Sequence, residues 1–106
     1  MLKTSKSPVI KMYGIPKEIY RCAGCEYIAL MMIDLGIDFE MKEVMFFKDG
    51  QAQYHYEHIA EAAKAAGVWP SKRVTYPVVT IDGKFTPMKL VKPTLGELGY
   101  DIDSLD

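Results

Sequence analysis

The spacing of apolar residues changes twice in the first third of the chain, and this change constrains the fold more than any other feature. From Pro8 to Gly14 nearly every residue is apolar, as in a short strand buried on both faces. A loop over Ile15 to Arg21 follows, because Gly14 and Pro16 interrupt regular structure. From Cys22 the apolar spacing becomes helical. The helical stripe consists of Ile28, Met31, Met32 and Leu35, and Gly36 is a fitting helix end.

The segment from Ile37 to Phe47 has the spacing of a half-exposed strand. Ile37, Phe39 and Met41 alternate with charged residues, and Lys48-Asp49-Gly50 is expected to end the strand. A strand, a helix and a second strand in this order predict a β-α-β unit. Its two strands are expected to be parallel.

Two further helices are predicted in the second half of the chain. The segment from Glu57 to Ala66 is rich in alanine, the best helix former, and Gly67 follows it. Where this helix begins after Gln51 is left open by the sequence. Thr94-Leu95-Gly96-Glu97 matches a capping box, so a last short helix is expected to start at Thr94.

A β-hairpin is predicted within the segment from Val74 to Thr86. Apolar residues lead to Asp82-Gly83, a dipeptide that two-residue hairpin turns favour, and Lys84-Phe85-Thr86 returns. Pro87 cannot donate a backbone hydrogen bond, so the returning strand is expected to be short or to lie at an edge.

The predicted element order is therefore β-α-β-α-β-β-α, an α/β fold with a central mixed four-stranded sheet flanked by helices. With 106 residues, 49% of them hydrophobic, the chain is expected to form a single domain over residues 1–106. The net charge of −1 argues against a generic nucleic-acid binder. The apolar run Ile28 to Ile33 is too short for a membrane span, and no signal peptide is visible, so a cytoplasmic protein is expected.

The two cysteines of the chain form the motif Cys22-Ala23-Gly24-Cys25 at the predicted first strand-to-helix junction. In a cytoplasmic chain this spacing has three interpretations: half of a metal site, a redox pair, or two unrelated thiols. A metal site needs about four ligands. The only histidines, His55 and His58, are candidates for the other two, although a solvated helix face is the simpler interpretation for them.

The position of the motif favours redox chemistry. A helix N-terminus carries unpaired N–H groups and a partial positive charge, so it stabilises a thiolate and lowers the pKa of Cys22 below its usual value of about 8.5. Cys25 lies three residues further on, close enough for a disulfide and deeper in the fold. Cys22 is therefore expected to attack a substrate and Cys25 to resolve the intermediate.

The charges around the motif point the same way. Residues 1–25 and residues 71–92 each carry a net charge of +4 in a chain whose total is −1. Arg21 adjoins Cys22 directly and is expected to lower the pKa of its thiol further.

At this point the chain resembles the thioredoxin superfamily and, within it, the glutaredoxins. The likeness covers roughly residues 8–86. Three segments carry it: Met12-Tyr13-Gly14 with Arg21 to Cys25, which looks like the opening of glutaredoxins encoded by tailed bacteriophages; Glu57 to Glu61, which resembles their second helix; and Thr75-Tyr76-Pro77-Val78, which is similar to the family's Thr-x-Pro motif.

The resemblance implies that Pro77 is preceded by a cis peptide bond and faces the cysteines. It places the backbone of Tyr76 beside Cys22, where an extended substrate can pair with it as an added strand. Thr75, Tyr76 and Pro77 are thus expected to contact the substrate. Tyr13 lies near the site by family position, and a role as a buried strand aromatic is equally open.

The chain departs from the family pattern in two places. Many glutaredoxins have Pro-Tyr between the cysteines, where this chain has Ala23-Gly24. The family usually continues after the hairpin with Gly-Gly and an acidic residue that hold glutathione, where this chain has Phe85 to Lys89. Lys89 or Lys92 is the alternative source of charge for that ligand.

The resemblance implies a glutathione-dependent thiol–disulfide oxidoreductase that uses Cys22 and Cys25 and acts on protein disulfides or mixed disulfides. Glutathione is the expected co-substrate, and no tightly bound cofactor or metal is expected. A disulfide-containing protein is the expected partner, with ribonucleotide reductase as the family's example, and the chain is expected to act as a monomer. The alternatives are a thioredoxin-like protein reduced by a flavin reductase and a module that binds a metal through Cys22 and Cys25.

Overall fold

The structure, a computed structural model, describes residues 8–71 and 73–105 and has a mixed α/β architecture. The elements in chain order are β1 (Ile10–Gly14), α1 (Ala23–Asp34), β2 (Glu40–Glu43), β3 (Met45–Lys48), β4 (Gln51–Tyr54), α2 (Tyr56–Ala66), β5 (Val78–Ile81), β6 (Lys84–Thr86) and α3 (Met88–Glu97), followed by a 3-10 turn (Ile102–Ser104).

A four-stranded mixed sheet forms the centre of the molecule, in the strand order β2-β1-β5-β6. Strands β1 and β2 are parallel, while β5 is antiparallel to both β1 and β6. Met12 lies opposite Met41 on one side and Val79 on the other. The predicted β-α-β unit, the hairpin at Asp82-Gly83 and the mixed four-stranded sheet are therefore confirmed.

Both faces of β1 are covered, because its alternate residues enter two different hydrophobic clusters. Met12 belongs to the larger cluster, which α1 and α3 close, and Tyr13 belongs to the smaller one, which α2 closes. The fully buried Met12, Ile28 and Met32 each contribute roughly 1.5–3 kcal/mol of transfer free energy. The prediction of a strand buried on both faces is confirmed for β1, although it begins at Ile10.

The single strand predicted over Ile37 to Phe47 is wrong. The chain leaves the central sheet at Val44, whose buried side chain joins the smaller cluster and whose N–H donates to the carbonyl oxygen of Gly14 at 3.0 Å. Beyond Val44, β3 pairs with β4 in a separate two-stranded sheet. Asp49 and Gly50 make the turn, with φ of 54° and 78°. The alternation of apolar and charged residues ends at Met41, and the unbroken apolar run from Val44 to Phe47 that follows does not by itself show where one strand ends and the next begins.

The helix start predicted at Thr94 is also wrong, because Thr94 lies inside α3. The helix begins directly after Pro87 and contains Pro93, which removes one internal hydrogen bond. Val91 and Leu95, four residues apart on one face, are fully buried against the sheet. Burial of that pair outweighs the cost of the proline and sets the helix earlier than its capping motif indicates.

The other two helices agree with the sequence. Helix α1 follows Cys22 directly. Helix α2 begins one residue before the predicted Glu57 and ends at Gly67, which has the left-handed φ of 77° that glycine adopts without strain. No helix among residues 8–71 and 73–105 has the length and apolar character needed to cross a membrane.

Candidate functional site

Cys22 and Cys25 lie at the start of α1, where Cys22 is the N-cap residue. The backbone of Cys22 is extended, with φ of −114° and ψ of 99°, as is usual at this position. Its Sγ accepts a hydrogen bond from the N–H of Cys25 at 3.3 Å. A sulfur atom therefore satisfies one of the N–H groups that a helix start leaves unpaired.

The two cysteines are joined by a disulfide, with their Cα atoms 5.2 Å apart. This distance lies within the ordinary range for disulfides. The two residues differ in access to solvent, because Cys22 is half-buried whereas Cys25 is only 5% exposed. The arrangement is that of a redox-capable pair with one outer and one inner sulfur.

Gly14, at the end of β1, covers the inner sulfur. A Cβ atom added at Gly14 would lie 2.9 Å from Sγ of Cys25 and 3.1 Å from Cε of Met41. The absence of a side chain therefore lets Cys25 pack directly against the strand backbone. Any larger residue at this position would push the sulfur away from β1.

Pro77 packs against the segment between the cysteines. A Cβ atom added at Gly24 would lie 2.9 Å from Cδ of Pro77 and 2.9 Å from Sδ of Met88. The Tyr76–Pro77 peptide bond is cis. The structure thus brings together the start of α1, the residues before β5 and the start of α3. Met88 was not among the predicted site residues; it adjoins the motif because α3 begins six residues earlier than predicted.

The side chain of Arg21 pairs with Glu26 rather than with Cys22 among the described contacts. Its side chain is 83% exposed, and its Nε lies 3.5 Å from an oxygen of Glu26. Solvent and this carboxylate screen the guanidinium. The N-terminus of α1 is therefore the main feature of the site that favours a negatively charged sulfur at Cys22.

Tyr13 is a buried aromatic residue of β1 whose hydroxyl forms a hydrogen bond. Its O–H donates to Oε1 of Glu61 at 3.0 Å, and Lys42 Nζ lies 2.9 Å from the same oxygen. Burial, together with the carboxylate of Glu61, raises the pKa of Tyr13 to about 12. The hydrogen bond from Lys42 lowers the pKa of Glu61. These contacts agree with the role of a buried strand aromatic, and the role of Tyr13 near the substrate stays a prediction.

Two depressions flank the site. One, of about 230 Å³, reaches the disulfide, and its lining includes Ile15, Pro16, Cys22, Cys25, Phe39 and Met41. The other, of about 440 Å³, is called the tyrosine groove below; it is lined by Ile15, Val44, Met45, Tyr54, Tyr56, Ile59 and Tyr76. Ile15 belongs to both. Of the predicted substrate-contacting residues, Tyr76 lies in the tyrosine groove and Thr75 is exposed beside it.

Sequence reasoning missed the tyrosine groove because it depends on the β3–β4 hairpin. Tyr54 ends β4 and Tyr56 begins α2, and their ring centroids lie 6.0 Å apart. The signal was present in Asp49-Gly50, which is the same dipeptide that correctly indicated the turn at Asp82-Gly83. Recognition of both turns would have predicted the hairpin.

His55 and His58 contact each other and the backbone. Their rings stack in parallel with centroids 3.6 Å apart. Nδ1 of His55 accepts from the N–H of His58 at the start of α2, and Nδ1 of His58 contacts the carbonyl oxygen of Glu43. Across the part of the chain that the structure describes, no three His, Cys, Asp or Glu side chains are grouped to hold a metal ion.

The lysines considered as glutathione contacts lie on α3. Lys92 lines a third depression together with Tyr27, Leu30 and Asp34, and neither cysteine borders it. Lys89 is exposed near the start of the helix, next to Met88. Of the two, only Lys89 stands close in sequence to a residue that packs on the cysteine motif.

Comparison with known proteins identifies a relative in a bacteriophage. No family model matches the chain, and no solved structure matches it. The chain is 35% identical over 102 residues to the "Uncharacterized 11.8 kDa protein in Gp55-nrdG intergenic region" of Enterobacteria phage T4. The match covers 95% of this chain and 98% of the phage protein. At this identity and coverage, the chain belongs to the same protein family as that phage T4 protein.

Proposed function

We propose that this protein is a thiol–disulfide oxidoreductase of the glutaredoxin type, built on a thioredoxin-like fold. The observation that carries the proposal is the bonded pair Cys22–Cys25 at the start of α1, with one sulfur accessible and the other buried. This asymmetry is what a two-step exchange needs, because one thiol must meet the substrate and the other must wait behind it.

The proposed reaction begins with the reduced protein. The thiolate of Cys22 attacks one sulfur of a substrate disulfide, which forms a mixed disulfide and releases the other substrate sulfur as a thiol. The thiolate of Cys25 then attacks Sγ of Cys22, which releases the second substrate thiol and closes the Cys22–Cys25 disulfide. The substrate gains two electrons and two protons, and the protein loses them.

Regeneration of the dithiol needs a reductant, for which we propose glutathione. Two glutathione molecules supply the two electrons and leave as glutathione disulfide, the first after forming a mixed disulfide with Cys22. Contact with Pro77 and with the backbone of Tyr76 would hold an extended substrate or glutathione beside the outer sulfur. Such a cycle requires a reducing compartment such as the cytoplasm.

The test is a glutathione-coupled disulfide reduction assay on Cys22→Ser and Cys25→Ser proteins. We expect Cys22→Ser to lose reduction of every disulfide substrate. Cys25→Ser should lose reduction of protein disulfides but keep much of its activity on glutathione mixed disulfides, since these need only one thiol. Thermal unfolding of both variants controls for folding. An active Cys22→Ser protein, or a pKa of the Cys22 thiol at or above about 8.5 in iodoacetamide alkylation, would contradict the proposal.

One observation favours a second candidate, a thioredoxin-like protein reduced by a flavin reductase. Met88 packs on Gly24, as Pro77 does, and it lies in the segment where glutaredoxins usually carry the Gly-Gly that holds glutathione. A thioether there offers no charge to the carboxylates of glutathione. Assays with glutathione and its reductase, and with a thioredoxin reductase, separate the two candidates by which system drives turnover.

A further inference from the structure

The tyrosine groove carries no charged side chain in its lining. Its walls are the aliphatic side chains of Ile15, Val44, Met45 and Ile59 and the rings of Tyr54, Tyr56 and Tyr76. Burial raises the pKa of Tyr76, so its ring stays neutral at physiological pH. A volume of about 440 Å³ holds one large side chain with room for part of its backbone. Its chemistry suits an apolar or aromatic group and offers no counter-charge to a carboxylate or an ammonium group.

Two residues of the groove lining connect it to the surroundings of the disulfide. Ile15 lines both the groove and the depression that reaches Cys22 and Cys25. Tyr76, another lining residue, directly precedes Pro77, which packs on Gly24 between the cysteines. A chain segment bonded to Cys22 therefore has the groove within reach of its next residues.

The β3–β4 hairpin supplies the outer wall of the groove and contributes little to the core. Every residue of β4 is exposed, including Tyr54 at 57%. The hairpin joins the rest of the fold at Val44, whose carbonyl oxygen accepts from the N–H of His55 at 2.8 Å. Exposed aromatic side chains on this hairpin have few contacts to lose when a partner covers them, and they gain apolar contacts with that partner.

We propose that the tyrosine groove binds an apolar or aromatic side chain of a polypeptide substrate, next to the cysteine whose disulfide is reduced. The inference rests on the proposed function and adds a substrate class to it: disulfides in protein segments that carry a large apolar residue near the reacting cysteine. The uncharged lining argues for such a residue over the charged ends of glutathione.

The test uses two synthetic peptides that differ at one position. Each carries one cysteine joined in a disulfide to 2-mercaptoethanol, and the neighbouring residue is Phe in one peptide and Ser in the other. The pre-reduced protein is mixed with each peptide for a single turnover. Its dithiol becomes the Cys22–Cys25 disulfide, while the peptide thiol and 2-mercaptoethanol are released and quantified by mass spectrometry.

We expect the wild-type protein to reduce the Phe peptide about tenfold faster than the Ser peptide. Burial of a phenyl ring strengthens binding by a factor of about ten or more. In Tyr54→Ala the ratio of the two rates should fall below about threefold, because one wall of the groove is missing. Phe47→Ala is the matched control: it removes a 53% exposed ring from the same hairpin, outside the groove, and should keep the wild-type ratio.

Each remaining outcome counts against one of the two proposals. A wild-type ratio near one, or a ratio that Tyr54→Ala leaves unchanged, overturns the groove proposal while the proposed function stands. An equal loss of selectivity in Phe47→Ala and Tyr54→Ala also overturns it, since hairpin stability rather than the groove would then set the preference. Reduction of neither peptide overturns the proposed function, and the groove proposal with it.

Discussion

At the scale of single residues, two glycines determine how closely the cysteine motif packs. Gly14 lets the sulfur of Cys25 touch the backbone of β1, and Gly24 lets Pro77 and Met88 touch α1. In both places an added Cβ atom would lie 2.9 Å from a neighbouring atom. The lack of a side chain at these positions therefore belongs to the geometry of the site, in addition to any effect on backbone freedom.

Gly24→Ala is expected to destabilise the protein by about 1–3 kcal/mol, although alanine is the better helix former by about 1 kcal/mol. The new methyl group meets Cδ of Pro77, a buried ring that cannot turn aside, as well as the flexible side chain of Met88. Urea unfolding measures the change.

The double variant Gly24→Ala/Met88→Ala separates the two contacts. We expect it to stay less stable than Met88→Ala alone, because the contact with Pro77 remains. A Gly24→Ala protein as stable as the wild type would show that helix propensity outweighs both contacts.

The hydroxyl of Tyr13 is expected to make stability depend on alkaline pH. Its folded pKa of about 12 lies above the ordinary value of 10.0, so the folded state favours the neutral phenol. The resulting stabilisation is fully present below pH 10 and is lost as pH rises toward 12. Urea unfolding of wild type and Tyr13→Phe at pH 8, 9, 10 and 11 measures the effect.

Tyr13→Phe is the control for the wild type at each pH, because it keeps the ring and removes only the titrating hydroxyl. We expect it to be less stable than the wild type at pH 8 by about 0.5–1.5 kcal/mol, since the bond to Glu61 is lost. The difference should shrink between pH 10 and pH 11. A stability difference that stays constant over this interval would contradict a raised pKa of Tyr13 in the folded protein.

At the scale of elements, local sequence determines most helices and turns, and burial overrides it at the start of α3. The apolar stripe of α1 and the alanines of α2 give these helices nearly their observed bounds. In α3 the capping motif at Thr94 yields to the buried pair Val91 and Leu95. Such an outcome depends on contacts with other elements, which no local pattern contains.

Pro93→Ala is expected to stabilise the protein by about 1–3 kcal/mol. Pro93 lies in the interior of α3 and is exposed, so its replacement restores an internal N–H donor and removes no core contact. Pro87→Ala, at the N-cap where the missing N–H costs nothing within the helix, is the control and should give no comparable gain. Thermal unfolding compares the two variants with the wild type. A Pro93→Ala protein without added stability would indicate that packing of the proline ring stabilises α3 as much as the restored N–H donor does.

At the scale of the whole molecule, the sequence predicts the cysteine pair well and the surface around it poorly. Cys22 and Cys25 are neighbours in sequence, so the helical pattern after Cys22 suffices to place them at a helix start. The tyrosine groove instead gathers residues from the loop after β1, the β3–β4 hairpin, α2 and the segment before β5. Only the path of the complete chain brings them together.

The two hydrophobic clusters share the central sheet, so we expect the molecule to unfold in one transition. Met32→Ala, in the larger cluster, and Ile59→Ala, in the smaller one, should each lower the midpoint of that transition, at a cost of about 2–5 kcal/mol. Fluorescence of Trp69, the only tryptophan, reports on the end of α2, and far-ultraviolet circular dichroism reports on all elements. Separate midpoints for the two signals would reveal two folding units.

The narrow attachment of the β3–β4 hairpin has a consequence for how a protein of this kind diversifies. The hairpin leaves the fold at Val44 and returns at His55, where one backbone hydrogen bond closes its base. None of its residues lines the depression that reaches Cys22 and Cys25. Exchange of this hairpin between relatives is therefore expected to change the lining of the tyrosine groove, to which Met45 and Tyr54 belong, and to leave the start of α1 as it is.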